Sequence, residues 1–245
     1  MTICLNCGEE HTNKFYCSRK CQMEGRKVHF NERYFEYIDH PVKMYWLGYI
    51  MGDGTVFCNK AGKRCRLVLE CNKKDKKIVE NFTHYIEVDQ KYIKERPEHN
   101  SISLNLYSQD LVEDLYMAGI PRKNKSKNSK IIKHSEPKFQ KAFLTGLFDA
   151  DGHISSYFRS PYGAKFSLAS GNTKILNDWI EFFPDWKITE HSGFKQNNQK
   201  KKWWTASKYV KRQDKQSFRY YYNFFYGNPK IPRLERKHDR MEMWT

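Results

Sequence analysis

Two stretches of this chain share one arrangement, an apolar segment at helical spacing that runs directly into Asp-Gly. They are Trp46-Leu-Gly-Tyr-Ile-Met-Gly-Asp53-Gly54 and Leu144-Thr-Gly-Leu-Phe-Asp-Ala-Asp151-Gly152, with the final aspartates 98 residues apart. Val42, Tyr45, Trp46, Tyr49 and Ile50 mark the helix in the first copy, and Phe143, Leu144, Leu147 and Phe148 in the second. Each helix carries two small residues four apart, Gly48 with Gly52 and Gly146 with Ala150. Small residues at that interval let two helix backbones approach closely. The glycine after each aspartate can take the left-handed conformation that often ends a helix. The aspartate itself is badly placed, because a carboxylate on the negative end of a helix costs about 0.3–1 kcal/mol. Its double occurrence therefore implies a positive partner. Were the two helices paired about a pseudo-twofold axis, carboxylates and helix-end carbonyls would converge into an oxygen-rich site suited to Mg²⁺.

These residues resemble the LAGLIDADG motif of homing endonucleases in its two-copy, single-chain form, over a span from about Tyr34 to the C-terminus. The first copy departs from the pattern at Met51, where the family often has an earlier aspartate; the second keeps it as Asp149. The resemblance implies an α+β fold of two pseudo-symmetric αββαββα repeats, with curved antiparallel sheets forming a DNA-binding saddle. It implies a monomeric, intron-encoded enzyme that makes double-strand breaks in a long DNA target by Mg²⁺-dependent phosphodiester hydrolysis. Asp53 and Asp151 are then catalytic, each holding Mg²⁺ with help from the carbonyls of Gly52 and Ala150. The family also places a lysine or arginine near the phosphate. Lys208 and Lys237 are the candidates here, against an ordinary phosphate contact or surface charge. Two other functions share the fold: an intron RNA maturase, alone or combined with cleavage, and a DNA-binding regulator that no longer cuts. The intact pair of acids favours the enzyme over the regulator.

Charge points the same way as the motif. Lysine and arginine total 44 against 28 aspartate and glutamate, a formal net charge of +16. That balance favours a polyanionic partner such as double-stranded DNA over acidic or neutral ones, the alternative being a lysine-rich solubilising surface. Aromatic residues at 16% argue against disorder. The absence of a run of 18 apolar residues, or of a signal-peptide core, leads to the expectation of an intracellular protein, cytoplasmic or nucleoid-associated, with no membrane partner and reduced thiols. Met1 and Trp244-Thr245 lack the nucleophile and terminal asparagine of a splicing intein, so none is expected.

Residues 1–28 form a separate expected unit. Cys4, Cys7, Cys17 and Cys21 stand as two close pairs, a spacing that can complete a tetrahedral Zn²⁺ site in a segment too short to fold without one. Gly8 falls where a knuckle turn wants positive φ. The segment resembles short zinc-ribbon or treble-clef modules; redox or disulfide cysteines are the alternative. Its Lys14, Arg19, Lys20, Arg26 and Lys27 make it basic, which extends the expected contact onto flanking DNA. Cys58, Cys65 and Cys71 lack paired spacing and are expected as strand cysteines.

Periodicity divides the remainder into a first repeat at 34–120, a basic linker at 121–137 and a second repeat at 138–245. The linker, with its alternating lysines, is either a solvated tether or a strap against phosphate. In the first repeat, strands are expected at 55–59, 64–71, 91–94 and 102–107, with helices at 75–86 and 109–117. In the second, strands are expected near 153–158, 165–170, 186–191 and 203–209, with helices at 173–183 and 218–226. Arg64, Arg66, Lys94, Arg96, Arg159, Lys165, Lys187, Lys195 and Trp203 lie on these strands or their loops as candidate DNA contacts. Trp203 and Trp204 are adjacent, so at least one of them faces the core.

Overall fold

The computed structural model describes all residues except 26, 60, 61, 63, 158–162 and 197–198, and the side chains of the remainder except 156, 157, 194–196 and 199–201. Arg26, Arg159 and the Lys195 side chain therefore lie outside the described residues. The chain opens with a two-stranded ribbon, β1 (Thr2–Ile3) and β2 (Glu10–His11), and a short helix α1 (Arg19–Gly25). There follow α2 (Pro41–Gly52), β3 (Thr55–Cys58), β4 (Cys65–Asn72), α3 (Lys76–Tyr85), β5 (Lys94–Arg96), β6 (Ser101–Tyr107) and α4 (Gln109–Met117). After a one-turn α5 (Lys125–Asn128), the order recurs as α6 (Pro137–Asp151), β7 (Gly152–Tyr157), β8 (Gly163–Ser170), α7 (Thr173–Phe182), β9 (Lys187–Gln196), β10 (Gln199–Val210) and α8 (Lys215–Tyr226). A final helix, α9, spans Glu235–Glu242.

The two αββαββα units build matching antiparallel sheets, ordered β3-β4-β6-β5 and β7-β8-β10-β9. Local signals start the helices. Pro41 and Pro137 occupy first-turn positions that need no N–H donor, and His40 Nδ1 accepts from the Val42 amide at 3.2 Å. Ser108 Oγ and Asp214 Oδ1 cap α4 and α8 in the same way. Each sheet buries one face: Leu67, Leu69, Leu104 and Leu106 in the first repeat, Phe166, Leu168 and Ala206 in the second. Strand alternation leaves the opposite face open.

Helix α2 is buried nearly all round, from Val42 to Met51, because α6 lies along it and its Trp46 ring packs on Phe82 and Tyr85 of α3. The approach is set by glycines. A methyl group on Gly48 would overlap the Phe143 carbonyl oxygen, and one on Gly146 would overlap that of Tyr45. The small-residue pattern thus performs the close packing expected of it.

Several expectations are corrected. Neither Gly54 nor Gly152 is left-handed; Gly152 is extended, at φ −76° and ψ 156°. Glycine is needed there because the chain turns back over its own helix: a Cβ on Gly54 would lie 2.8 Å from the Ile50 carbonyl oxygen, and one on Gly152 would strike the Phe148 carbonyl and ring. The strand expected at 91–94 begins only at Lys94, because Asp89 caps a 3₁₀ turn over Gln90–Tyr92. Cys58 and Cys65 are strand residues, as expected, and stand opposite one another across β3 and β4. Helices α5 and α9 were not anticipated.

Candidate functional site

Helices α2 and α6 end side by side, and their last residues touch. A Cβ on Gly52 would collide with that of Ala150 and lie 3.1 Å from Asp151 Oδ2, so the Asp151 carboxylate rests over the end of the first repeat's helix. Asp53 and Asp151 are both open to solvent yet set among dense protein. Burial accordingly raises the pKa of both acids. The charge of Asp53 adds to this at Asp151, whose carboxyl is carried to about 6.

Two lysines supply the positive partners that the helix ends require. Lys237 is buried, and its Nζ donates to the carbonyls of Phe148 at 2.7 Å and Asp149 at 2.6 Å, closing the last turn of α6. Lys125 does the same for α2, donating to Ile50 at 2.9 Å, Met51 at 2.8 Å and Gly52 at 2.6 Å. Burial pulls both ammonium groups down to about 8, and the neighbouring carboxylates resist that fall. Lys125 follows α4 as Lys237 follows α8, so the two are counterparts in the duplicated order. The sequence reading included Lys237 and missed Lys125.

The earlier aspartate of the second motif has a different task. Asp149 is buried and accepts from Tyr45 Oη and Tyr226 Oη, each at 2.7 Å, and from the Leu234 amide at 2.8 Å. It thereby joins α2, α8 and the segment entering α9, and sets the position from which Lys237 reaches the helix end.

Lys208 is not part of this group. It stands opposite Phe166 in the strand register, on the sheet's helix-facing side, and pairs with Asp185 at 2.8 Å. One residue of strand parity separates it from the open face. Arg66, Lys94 and Arg96 do project with the open side of the first sheet, and Lys165 and Lys187 with that of the second. Arg64 is exposed at the β3–β4 turn. Arg96 is held by Glu70 at 2.9 Å, and the Lys165 ammonium lies 5.1 Å from the Tyr209 ring centre. Trp203 is 37% exposed and stacks on His191, whereas Trp204 packs against the core. A cavity of about 540 Å³ opens beside Asp151, with Lys125, Ser170, Lys202 and Trp203 among its walls.

The donor set at the centre suits a hard divalent cation: two carboxylates reachable from solvent, bordered by helix-end carbonyls. The Gly52 carbonyl already accepts from Lys125, which leaves it one lone pair for a metal.

No protein-family model and no curated protein matches the chain. Among solved structures, the chain is similar to the LAGLIDADG meganuclease I-AabMI bound to uncleaved DNA, at 15% identity and a TM-score of 0.48 over 83% of this chain and 92% of that one. It is also similar to the homing endonuclease I-WcaI bound to its DNA recognition sequence, at 18% identity and 0.44 over 81% and 85%. A variant of I-DmoI in complex with its target DNA gives 14% identity and 0.41 over 73% and 92%. Overlap at this level carries no weight alone. The two-repeat α+β fold stands on the element order and strand pairing.

Proposed function

We propose that the chain is a site-specific DNA endonuclease that cuts both strands of a long duplex and acts as a monomer. The observation that carries this reading is the placement of Asp53 and Asp151 at the touching ends of paired helices, near enough for the charge of Asp53 to act on Asp151, with Lys125 and Lys237 closing the two helix ends in matching positions. A duplicated acid serves a duplex in a direct way, one carboxylate for each strand. Asp53 and Asp151 would hold Mg²⁺, with the remaining lone pair of the Gly52 carbonyl and that of Ala150 as further donors. When bound, Mg²⁺ supplies a Lewis acid for the phosphate and lowers the pKa of the attacking water.

The protein's own groups do the rest. Lys125 and Lys237 offset the negative potential of the helix ends, so the carboxylates can approach one another and a phosphodiester can enter. Their ammonium groups also present fixed positive charge where negative charge grows on the phosphate during hydrolysis. The open sheet faces, with Arg66, Lys94, Arg96, Lys165 and Lys187, would follow the groove and the backbone on either side.

The test is cleavage of duplex DNA by Asp53→Asn and Asp151→Asn, on a target first recovered from a randomised library. Each variant should retain binding and lose double-strand cleavage in Mg²⁺. Linear product at the wild-type rate from either would remove that residue from the chemistry. Binding to the target without cleavage by the wild type would favour the regulator. Intron splicing assisted equally by wild type and variants would favour the maturase.

A further inference from the structure

The four N-terminal cysteines meet in space, and nothing in the proposed cleavage uses them. We infer that Cys4, Cys7, Cys17 and Cys21 hold one Zn²⁺ in a closed tetrahedral thiolate site whose role is to fold residues 1–25. This inference does not depend on the endonuclease reading.

The first observation is the lack of anything else to hold the segment. Among the described residues from 1 to 25, Cys4 alone is buried. Helix α1 buries no side chain, and Leu5 and Met23 are 71% and 67% exposed. The strands β1 and β2 have two residues each. A seven-residue helix and so short a ribbon do not persist on their own in water.

The second observation is convergence. The cysteines come from the ribbon, the following loop and α1, yet their sulfurs all lie within 4.8 Å of one another. Cys7 and Cys17 sulfurs are 3.5 Å apart, and those of Cys17 and Cys21 are 3.3 Å apart. With Zn–S bonds of about 2.3 Å, a tetrahedral site sets sulfurs roughly 3.8 Å from one another, so a small expansion accommodates the ion. The backbone is already shaped as a knuckle. Gly8, at φ +77°, donates its amide to the Cys4 carbonyl at 3.0 Å, and the Cys17 amide points at Cys4 Sγ at 3.4 Å.

Disulfides are the rival use of four thiols. Cys4, Cys7, Cys17 and Cys21 are all free in this structure. Cys17 has a sulfur neighbour on two sides, which a pairwise bond could not satisfy. Four soft donors select Zn²⁺ or iron over Mg²⁺ and fill the tetrahedron without a reactive water; the Glu9 carboxylate, 3.6 Å from Cys7 Sγ, lies beside the group and not within it.

The experiment is metal analysis of the full-length protein, with Cys17→Ser as the test and Cys71→Ser as the control. We expect about one zinc per chain in wild type and in Cys71→Ser, and none in Cys17→Ser. Chelation should open residues 1–25 to protease and added Zn²⁺ should close them again, with the remainder of the chain unchanged. Four thiols recovered as disulfides, iron in place of zinc, or zinc unaffected by Cys17→Ser would each overturn the inference.

Discussion

Arg236 of the second repeat grips Asp75 of the first, Nε donating to Oδ1 at 3.1 Å and Nη2 to Oδ2 at 3.0 Å. The next residue, Lys237, closes the end of α6. A counterpart exists on the other side: Asn172 Nδ2 of the second repeat donates to the Ser129 carbonyl at 2.6 Å, fixing the linker that carries Lys125. Each helix-end lysine is therefore anchored to the opposite repeat, by an ionic fork in one case and a neutral hydrogen bond in the other.

The ionic anchor should matter to one strand more than the other. Arg236→Ala leaves Asp75 uncompensated; burial is the main cause that raises the pKa of Asp53, and the charge of Asp75 adds a smaller part. We expect a stability loss of about 1–2 kcal/mol, since the arginine is partly exposed, and accumulation of nicked plasmid before linear product. Arg236→Lys should recover only part, because an ammonium cannot reproduce the fork. Linearisation without a nicked intermediate would exclude the anchoring role.

Metal binding should weaken in acid. The Asp151 carboxyl stands at about 6, above the ordinary 3.8, so the folded protein binds a proton there more tightly than the unfolded chain does. Metal-free stability from this group accordingly falls as pH rises through that window and is level above it. A cation must displace the same proton, so affinity should drop about tenfold per pH unit below about 6. Melting curves with and without Mg²⁺ should separate widely near neutrality and merge in acid.

The lysines should divide by position. Lys237→Met removes the donor from two carbonyls and the cation beside buried Asp149, at a cost of about 3 kcal/mol or more. Lys125→Met, at a more open site, should spare stability better and slow cleavage by about 10² or more. Lys208→Met should leave the cleavage rate unchanged. Single-turnover rates at saturating enzyme, alongside urea denaturation, check all three.

The close helix contact should tolerate no added carbon. Gly146→Ala forces the Tyr45 carbonyl aside, and we expect a loss of about 3 kcal/mol or more. Gly171→Ala, whose nearest neighbour would be the Ser126 carbonyl at 4.0 Å, is the neutral control in the same denaturation series.

DNA affinity should be strongly salt-dependent. With a net charge of +16 and about 6–10 phosphate contacts, affinity should fall roughly 10³–10⁵-fold between about 50 and 200 mM salt. A flat titration would argue against a nucleic-acid partner.

The placement of Asp53 and Asp151 at paired helix ends was legible because the same costly position occurs twice, and so was the repeated element order, since amphipathic spacing restarts at residue 138. Lys125 was not. It sits among Lys123, Lys127 and Lys130, and only the left-handed Asn124 that opens α5 turns that one side chain toward the helix end. The side of Lys208 could have been read from sequence: Ala206 and Val210 flank it at strand spacing and are both apolar, which assigns it to the helix side. The facing of Cys58 and Cys65 lay hidden because opposition across a hairpin depends on register, and residue spacing does not reveal it.

Gly48 and Gly146 bring backbone against backbone, with no side chain between the repeats at that level. The separation of the two acids is therefore inherited from main-chain geometry, independent of the large side chains around it. Either sheet could diverge in its open face while the interval between the two acids stayed constant. The same contact ties the halves together: α2 without α6 would bare the apolar side that α6 now covers, so the duplicated units can exchange surfaces but not separate without exposing it.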